Sequence, residues 1–227
     1  QEDLPADELG PVGEIHGDLA LAVDAEELAP PFGLAPEDAV FLPNLQTAVT
    51  LVLDGKPLIG EKVAVFGQGI VGLLLTALLA AFPLARLVTL DRCPNRRLAS
   101  ENLGAHASFD PLQPNVLTDL SAALKSGGEE EKADLAFEIS GNPEALNQAL
   151  AITGFHGRVV IGSWYGAKKS ELNLGGRFHR QRQVLISSQV STLSPELTGR
   201  WTRNRVLEVA WQMVYRIKPA RFITHRF

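Results

Sequence analysis

Gly67, Gly69 and Gly72 stand in the spacing Gly-x-Gly-x-x-Gly, between an apolar β-type run, Lys62-Val63-Ala64-Val65-Phe66, and an apolar helical run that opens at Ile70. Strand, glycine turn and helix in that order suit the pyrophosphate of a dinucleotide. Gly67 permits the tight turn, Gly69 lets bare backbone approach the anion, and Gly72 lets the helix pack close to the sheet. The turn residues Gln68, Ile70 and Val71 complete a helix N-terminus whose amides face the anion. A second β-type run, Arg86-Leu87-Val88-Thr89-Leu90, ends in Asp91, 19 positions beyond Gly72. An acidic side chain there accepts hydrogen bonds from the adenosine ribose hydroxyls. Its charge would repel the 2′-phosphate of NADP, so NAD is the expected cofactor. Arg92, Arg96 and Arg97 follow at once and could bind that phosphate instead, which keeps NADP as the alternative. A glycine turn that serves packing alone, and the similar turn of a methyltransferase that binds S-adenosylmethionine, are the other readings of the motif.

Three further strand ends carry small residues: Ser140-Gly141, Gly162-Ser163 and Ser187-Ser188. Ligands of open α/β sheets bind outside the carboxyl ends of the strands, so these loops are expected to line one crevice. Candidates for proton transfer are weak. His179 lies between Arg177 and Arg180, where the three could hold an anion or relay a proton, but no orienting partner is visible. Tyr165 could donate a proton near the nicotinamide, although packing of the Trp164-Tyr165 pair explains it equally well. His156 and His225 have less to support them. Cys93 is the single cysteine and His16 is isolated, so no set of about three zinc ligands is recognisable, and no zinc is expected.

The elements that must position these residues alternate. Pro36-Glu37-Asp38 opens a helical segment that runs to Leu53 and is divided at Pro43, before Asp54-Gly55-Lys56-Pro57 breaks it. Strand-type and helical runs then follow one another: 62–66, 70–82, 86–91, 94–103, 107–109 and 116–125. After a polar turn at 127–132 come a strand at 133–139, a helix at 143–152, and strands at 158–162 and 184–188. Such alternation predicts an α/β fold with a doubly wound parallel sheet built from two three-stranded halves.

The 227 residues suffice for a substantial core, and 45% are apolar. The apolar run from Ile70 to Phe82 is too short to cross a bilayer, and no basic-then-apolar leader pattern is visible, so a cytoplasmic protein without a membrane partner is expected. The net charge of −5 is polarised: residues 1–40 hold eleven acids and no Lys or Arg, while residues 151–227 hold thirteen Lys or Arg against three acids. The basic residues lack interleaved aromatic residues and the chain is acidic overall, so no nucleic-acid partner is expected. A basic rim beside a pyrophosphate would fit.

From about Pro36 to Phe227 the chain resembles the medium-chain alcohol dehydrogenase-like oxidoreductases (medium-chain dehydrogenase/reductase family), in particular the zinc-type branch that contains bacteriochlorophyllide a dehydrogenase. The resemblance is carried by Phe41-Leu42-Pro43-Asn44-Leu45-Gln46-Thr47-Ala48, the glycine turn at Gly67, Leu103-Gly104-Ala105, Phe137-Glu138-Ile139-Ser140-Gly141-Asn142, and Gly162-Ser163-Trp164-Tyr165-Gly166. It extends through Leu174-Gly175-Gly176-Arg177-Phe178-His179-Arg180, Ser187 to Ser191, Gly199-Arg200-Trp201 and Ile223 to Phe227. It implies a Rossmann fold at 41–214, a shortened remnant of a GroES-like catalytic domain at 1–40, in which Gly13 to Asp18 resemble a compressed piece, and a return segment at 215–227. It also implies Thr47 near the nicotinamide, Asp91 on the ribose, Arg96 near the adenosine, and Ser140, Gly162 and Ser163 beside the cofactor. The implied activity is NAD-dependent hydride transfer between the nicotinamide and a small-molecule alcohol or carbonyl substrate, zinc-independent here because the ligand set of the zinc enzymes is not recognisable, with a non-catalytic dinucleotide-binding or assembly subunit as the alternative. A homodimer joined through the strand Val184 to Ser188 is the implied assembly.

Overall fold

The computed structural model describes residues 33–125 and 131–223. The segment before residue 33, with His16 and the compressed piece read at Gly13 to Asp18, lies outside the described residues, as do His225 and most of the polar turn at 127–132. Two helices come first, α1 (Pro36–Ala39) and α2 (Leu42–Gly55). Pro43 falls in the first turn of α2, where its missing N–H has no intrahelical acceptor to lose, so the division expected there is a helix start. The helix ends at Lys56, which takes a left-handed conformation with φ of 48°.

The alternating part is β1 (Lys62–Phe66), α3 (Ile70–Leu79), β2 (Arg86–Leu90), α4 (Pro94–Asn102), β3 (Ala107–Phe109), α5 (Val116–Ala123), β4 (Ala133–Glu138), α6 (Pro143–Ile152), β5 (Thr153–Ile161) and β6 (Val184–Ser187). The six strands form one parallel sheet in the order β3-β2-β1-β4-β5-β6. It is the doubly wound order that the alternation predicts. Its two halves meet where β1 pairs with β4, Val63 opposite Leu135 and Phe66 opposite Glu138.

A parallel sheet covered on both faces must be apolar on both. In β1, Val63 and Val65 belong to the core that α2, α3 and the C-terminal helix build with Leu45, Leu75, Trp211 and Val214. Ala64 and Phe66 belong to the opposite core, which α5 and α6 build with Leu120, Leu146 and Ala149. The glycine turn and the first turn of α3 are thereby clamped between two packed layers.

Apart from shifts of one or two residues at element ends, three features differ from the sequence expectation. Helix α3 stops at Leu79 and not at Phe82, because Pro83 disfavours helical backbone just before it. Strand β5 begins at Thr153, straight out of α6, and residues 154–157 bulge between the pairs Ala133–Thr153 and Leu135–Arg158. His156 has φ of 55° in this bulge. A β-carbon on Gly157 would stand 2.4 Å from Thr153 Cγ2, so the glycines that read as a break are a bend within the strand. Finally α7 (Arg203–Ile217) lies in a stretch that shows no element by sequence. Its buried face of Val206, Ala210, Trp211, Val214 and Ile217 keeps a helical period, which the exposed Arg203, Arg205, Glu208 and Arg216 around those positions obscure in the sequence. Thr202 caps it by accepting a hydrogen bond from the Arg205 N–H at 3.1 Å.

Asp54, in the last turn of α2, is buried and accepts a hydrogen bond from Ser188 Oγ at 2.7 Å. Burial raises its carboxyl above the ordinary 3.8, against the opposing pull of Ser188 and Lys56. A carboxyl whose pKa rises on folding holds its proton more tightly in the native state, so it lowers stability as pH climbs from the unfolded value through the native one. Asn at this position still accepts from Ser188 and carries no charge. Asp54→Asn should flatten that part of the stability profile and melt at neutral pH no lower than the unmodified protein, which thermal melts between about pH 4 and pH 7 will show.

Candidate functional site

The carboxyl ends of β1, β2 and β4 open onto a cleft of about 880 Å³, within the range of small-molecule and cofactor sites. Gly67, Gly69, Asp91, Arg92, Arg96, Ser140 and Gly141 line it, so the residues read from two separate halves of the chain share one wall or the other. The cleft lies where the strand order reverses, the position at which doubly wound sheets bind ligands.

The three glycines have three different environments. Gly67 has φ of +101°, and a β-carbon there would stand 2.7 Å from the Ser140 Cα. A β-carbon on Gly72 would come within 2.1 Å of the Gly67 carbonyl oxygen, so its close contact is with the turn itself. Gly69 has an ordinary φ of −67° and begins α3 without a side-chain cap. A β-carbon on it would meet nothing within 4 Å, because it would project into open space at the cleft. The N–H groups of the first turn of α3 lack intrahelical acceptors and remain available to an anion.

Gln68 is fully buried within the turn, and its Oε1 accepts from Thr76 Oγ1 at 2.9 Å. Ile70 and Val71 are half-buried against the core beneath the helix start. Asp91 has a role within the fold itself. Its Oδ2 accepts the Gln68 N–H at 2.7 Å and its Oδ1 accepts the Cys93 N–H at 2.8 Å, so it braces the glycine turn against the exit of β2. Arg96 approaches the same carboxylate at 3.8 Å from an exposed position. Arg97 is turned away from the cleft, donating to the carbonyls of Asp91 and Arg92 and pairing with Asp110. Arg92, Arg96 and Lys168 line the cleft, so its rim carries basic side chains, but only Lys168 comes from the basic stretch 151–227.

The opposite wall is the loop after β4. Glu138, the last residue of β4, is fully buried. Its Oε1 accepts the Ser140 N–H at 2.8 Å and the Ser140 hydroxyl at 2.5 Å, and its Oε2 accepts the Tyr165 hydroxyl. The Gly141 N–H donates to Ser163 Oγ at 2.8 Å, and Lys168 Nζ donates to the Gly141 carbonyl at 2.8 Å. Burial, and then the Glu138 carboxylate, hold the Tyr165 phenol far above its ordinary range, so it keeps its proton and acts as a fixed donor. Sequence reading assigned no role to Glu138 or Lys168, since an acid ending an apolar strand and a lysine in a loop carry no spacing signal.

Other sequence candidates fall elsewhere. Thr47, on α2, donates back to the Pro43 carbonyl at 3.1 Å and is not among the cleft-lining residues. Gly162 lies under α2, where a β-carbon would stand 2.6 Å from Leu51 Cδ2, so packing already requires a glycine there. His179 is exposed in the turn that precedes β6, on the side where that strand begins, and so is remote from the carboxyl-end cleft. The buried Asp54, not the cleft, takes the Ser188 hydroxyl.

Among the described residues no group of three or more His, Cys, Asp and Glu side chains could hold a metal ion. Their donors therefore do not fit a zinc site. No helix among them is long and apolar enough to cross a membrane.

Residues 71–202 match the family described as zinc-binding dehydrogenase. L-threonine 3-dehydrogenase of Bacillus licheniformis is 33% identical over 205 residues, covering 87% of this chain and 53% of that protein. The crystal structure of 2R,3R-butanediol dehydrogenase from Bacillus subtilis superposes with a TM-score of 0.64 at 26% identity, over 81% of this chain and 48% of that one. A short chain alcohol dehydrogenase of E. coli CFT073, solved with NADH, shares the fold with a TM-score of 0.70 at 19% identity, over 87% and 54% of the two chains. The chain spans about half the length of the relatives it matches.

The contrast between two glycines gives a direct test. Gly72→Ala forces a β-carbon against backbone that can yield only if the turn moves, and should lower stability by about 1–3 kcal/mol. Gly69→Ala meets no obstacle and should leave stability unchanged or raise it by up to about 1 kcal/mol through the unfolded chain. Urea unfolding of the two variants measures both.

Proposed function

Because the chain belongs to the zinc-binding dehydrogenase family, we propose that its cleft binds a nicotinamide dinucleotide, and that the protein serves hydride transfer between that cofactor and an alcohol or carbonyl substrate. The observation that carries this reading is Gly69. Gly67 and Gly72 are required by the packing of the turn, whereas among the described residues no contact requires a glycine at 69. Its missing side chain instead leaves open the approach to the first turn of α3, which is what a pyrophosphate needs.

When bound, the dinucleotide supplies the hydride chemistry, and the protein supplies position and electrostatics. The first-turn amides of α3 would hold the pyrophosphate. Asp91, already fixed by two backbone N–H groups, retains lone pairs for ribose hydroxyls and presents negative charge where NADP carries its extra phosphate. That supports NAD over NADP. Arg92 and Arg96 lie close enough to matter and supply the opposing case. Zinc independence is likewise proposed for the described residues, on their donor chemistry alone. For the assembly we propose a homodimer joined along β6, the sheet's outer strand, where Val184 is exposed and Leu185 and Ile186 are half-buried.

Titration should show saturable NADH binding, weaker NADPH binding, and a smaller difference between the two in Asp91→Ser. Gly69→Val should abolish NADH binding with an unchanged far-ultraviolet circular dichroism spectrum. Tighter binding of NADPH than of NADH would reverse the cofactor assignment, and normal NADH binding by Gly69→Val would reduce the glycine motif to a structural turn. Light scattering at micromolar concentration should report twice the chain mass; a monomer would reject the β6 pairing.

A further inference from the structure

We propose that Glu138 and Tyr165 are positioning residues of the cleft, holding the Ser140–Gly141 wall in the place a bound dinucleotide needs. The inference rests on the dinucleotide reading above. A parallel strand buried on both faces has no use for an acid. Glu138 is paired with Phe66 on one side and Ile161 on the other, inside an apolar sheet. An ionised carboxylate in such a place is costly unless several donors face it, and here three do: the Ser140 N–H, the Ser140 hydroxyl and the Tyr165 hydroxyl.

Two of those donors belong to the residue that lines the cleft, and the third arrives from the segment after β5. The carboxylate therefore joins two loops that have no strand pairing with each other. Around it, successive backbone N–H groups of the wall are each taken by a side chain: Ser140 by Glu138, Gly141 by Ser163 and Asn142 by Ser140 Oγ. Because Gly67 lies directly against the Ser140 backbone, a shift of this wall would also disturb the glycine turn opposite. Ser140 holds Oε1, and among the described residues Tyr165 is the donor that holds Oε2, so the phenol fixes the outer side of the carboxylate. Without it, Oε2 loses that donor, and regaining one, from the Ser163 hydroxyl that bonds the phenol or from solvent, requires the carboxylate to move and Ser140 with it.

The test compares three proteins by NADH titration and by ligand-free thermal melting: the unmodified chain, Tyr165→Phe and Glu138→Gln. In Glu138→Gln the amide oxygen can still accept from Ser140, and the amide nitrogen can donate to the Tyr165 oxygen. Its affinity should stay within about threefold of the unmodified protein. Tyr165→Phe keeps the ring but leaves a buried carboxylate oxygen without a donor, and should weaken NADH binding by about tenfold or more. Its ligand-free melting temperature should stay close to that of Glu138→Gln. Unchanged affinity in Tyr165→Phe, equal loss in both variants, or a loss that merely follows a fall in melting temperature would overturn the inference while NADH binding by the unmodified chain stood. Absence of saturable NADH binding by the unmodified chain would overturn the dinucleotide reading itself, and this inference with it.

Discussion

The two halves of the sheet are joined at a backbone contact that leaves no room for a methyl group. The turn after β1 lies so near the loop after β4 that a β-carbon at Gly67 would stand 2.7 Å from the Ser140 Cα, and one at Gly72 would stand 2.1 Å from the Gly67 carbonyl oxygen. Helix start, turn and opposite loop thus form one stack without side chains between its layers. The width of the cleft, the direction of the α3 amides and the place of the Ser140–Gly141 wall all depend on that stack. Apolar packing on both faces of the sheet supplies the force that closes it.

Packing brings the two loops together, but it does not fix their conformations, since beyond Gly67 and Ile139, whose N–H groups still bond to the sheet, their backbone turns away from it. Acids at strand ends do this work. Asp91 follows β2 and takes the N–H groups of Gln68 and Cys93, while Glu138 ends β4 and takes those of Ser140 and, through its hydroxyl, the same residue again. A carboxylate accepting backbone N–H groups forms shorter and stronger bonds than a neutral acceptor would. It also adds negative charge beside the first turn of α3, and the basic side chains of Arg92, Arg96 and Lys168 on the rim offset it.

What was legible in the sequence was the short-range part. The glycine turn, Asp91 and the apolar strands β1, β2 and β3 are contiguous patterns whose physical cause lies within a few residues. Prolines at the starts of α4 and α6 mark those helices for the same reason. Thr153 to Gly157 defeated local reading, because only the pairing of β5 with β4 turns that glycine-rich stretch into a bulged strand. Helix α7 was obscured by charges on its exposed face, although its buried side keeps a helical period. In the site, Ser140 and Gly141 were legible from strand ends, whereas the partners of Glu138 arrive from 27 residues away in Tyr165 and from the neighbouring turn. His179 misleads for the same reason, since a basic loop says nothing about which end of the sheet it occupies.

The pairing of β1 with β4 also governs how the chain comes to be folded. The Lys62 N–H donates to Asp134 Oδ2 at 2.8 Å across 72 residues of sequence, and β1 has only β2 beside it until β4 has been made. During synthesis the first half, β1 to β3, therefore emerges with one apolar strand edge bare, and parallel pairing at such separation closes slowly. For that interval the edge invites strands of other chains, and the nascent polypeptide is at its most exposed to misassembly or to capture by a chaperone. The seam that makes the cleft cannot exist before β4 has been made, so the cleft has no precursor in the first half alone.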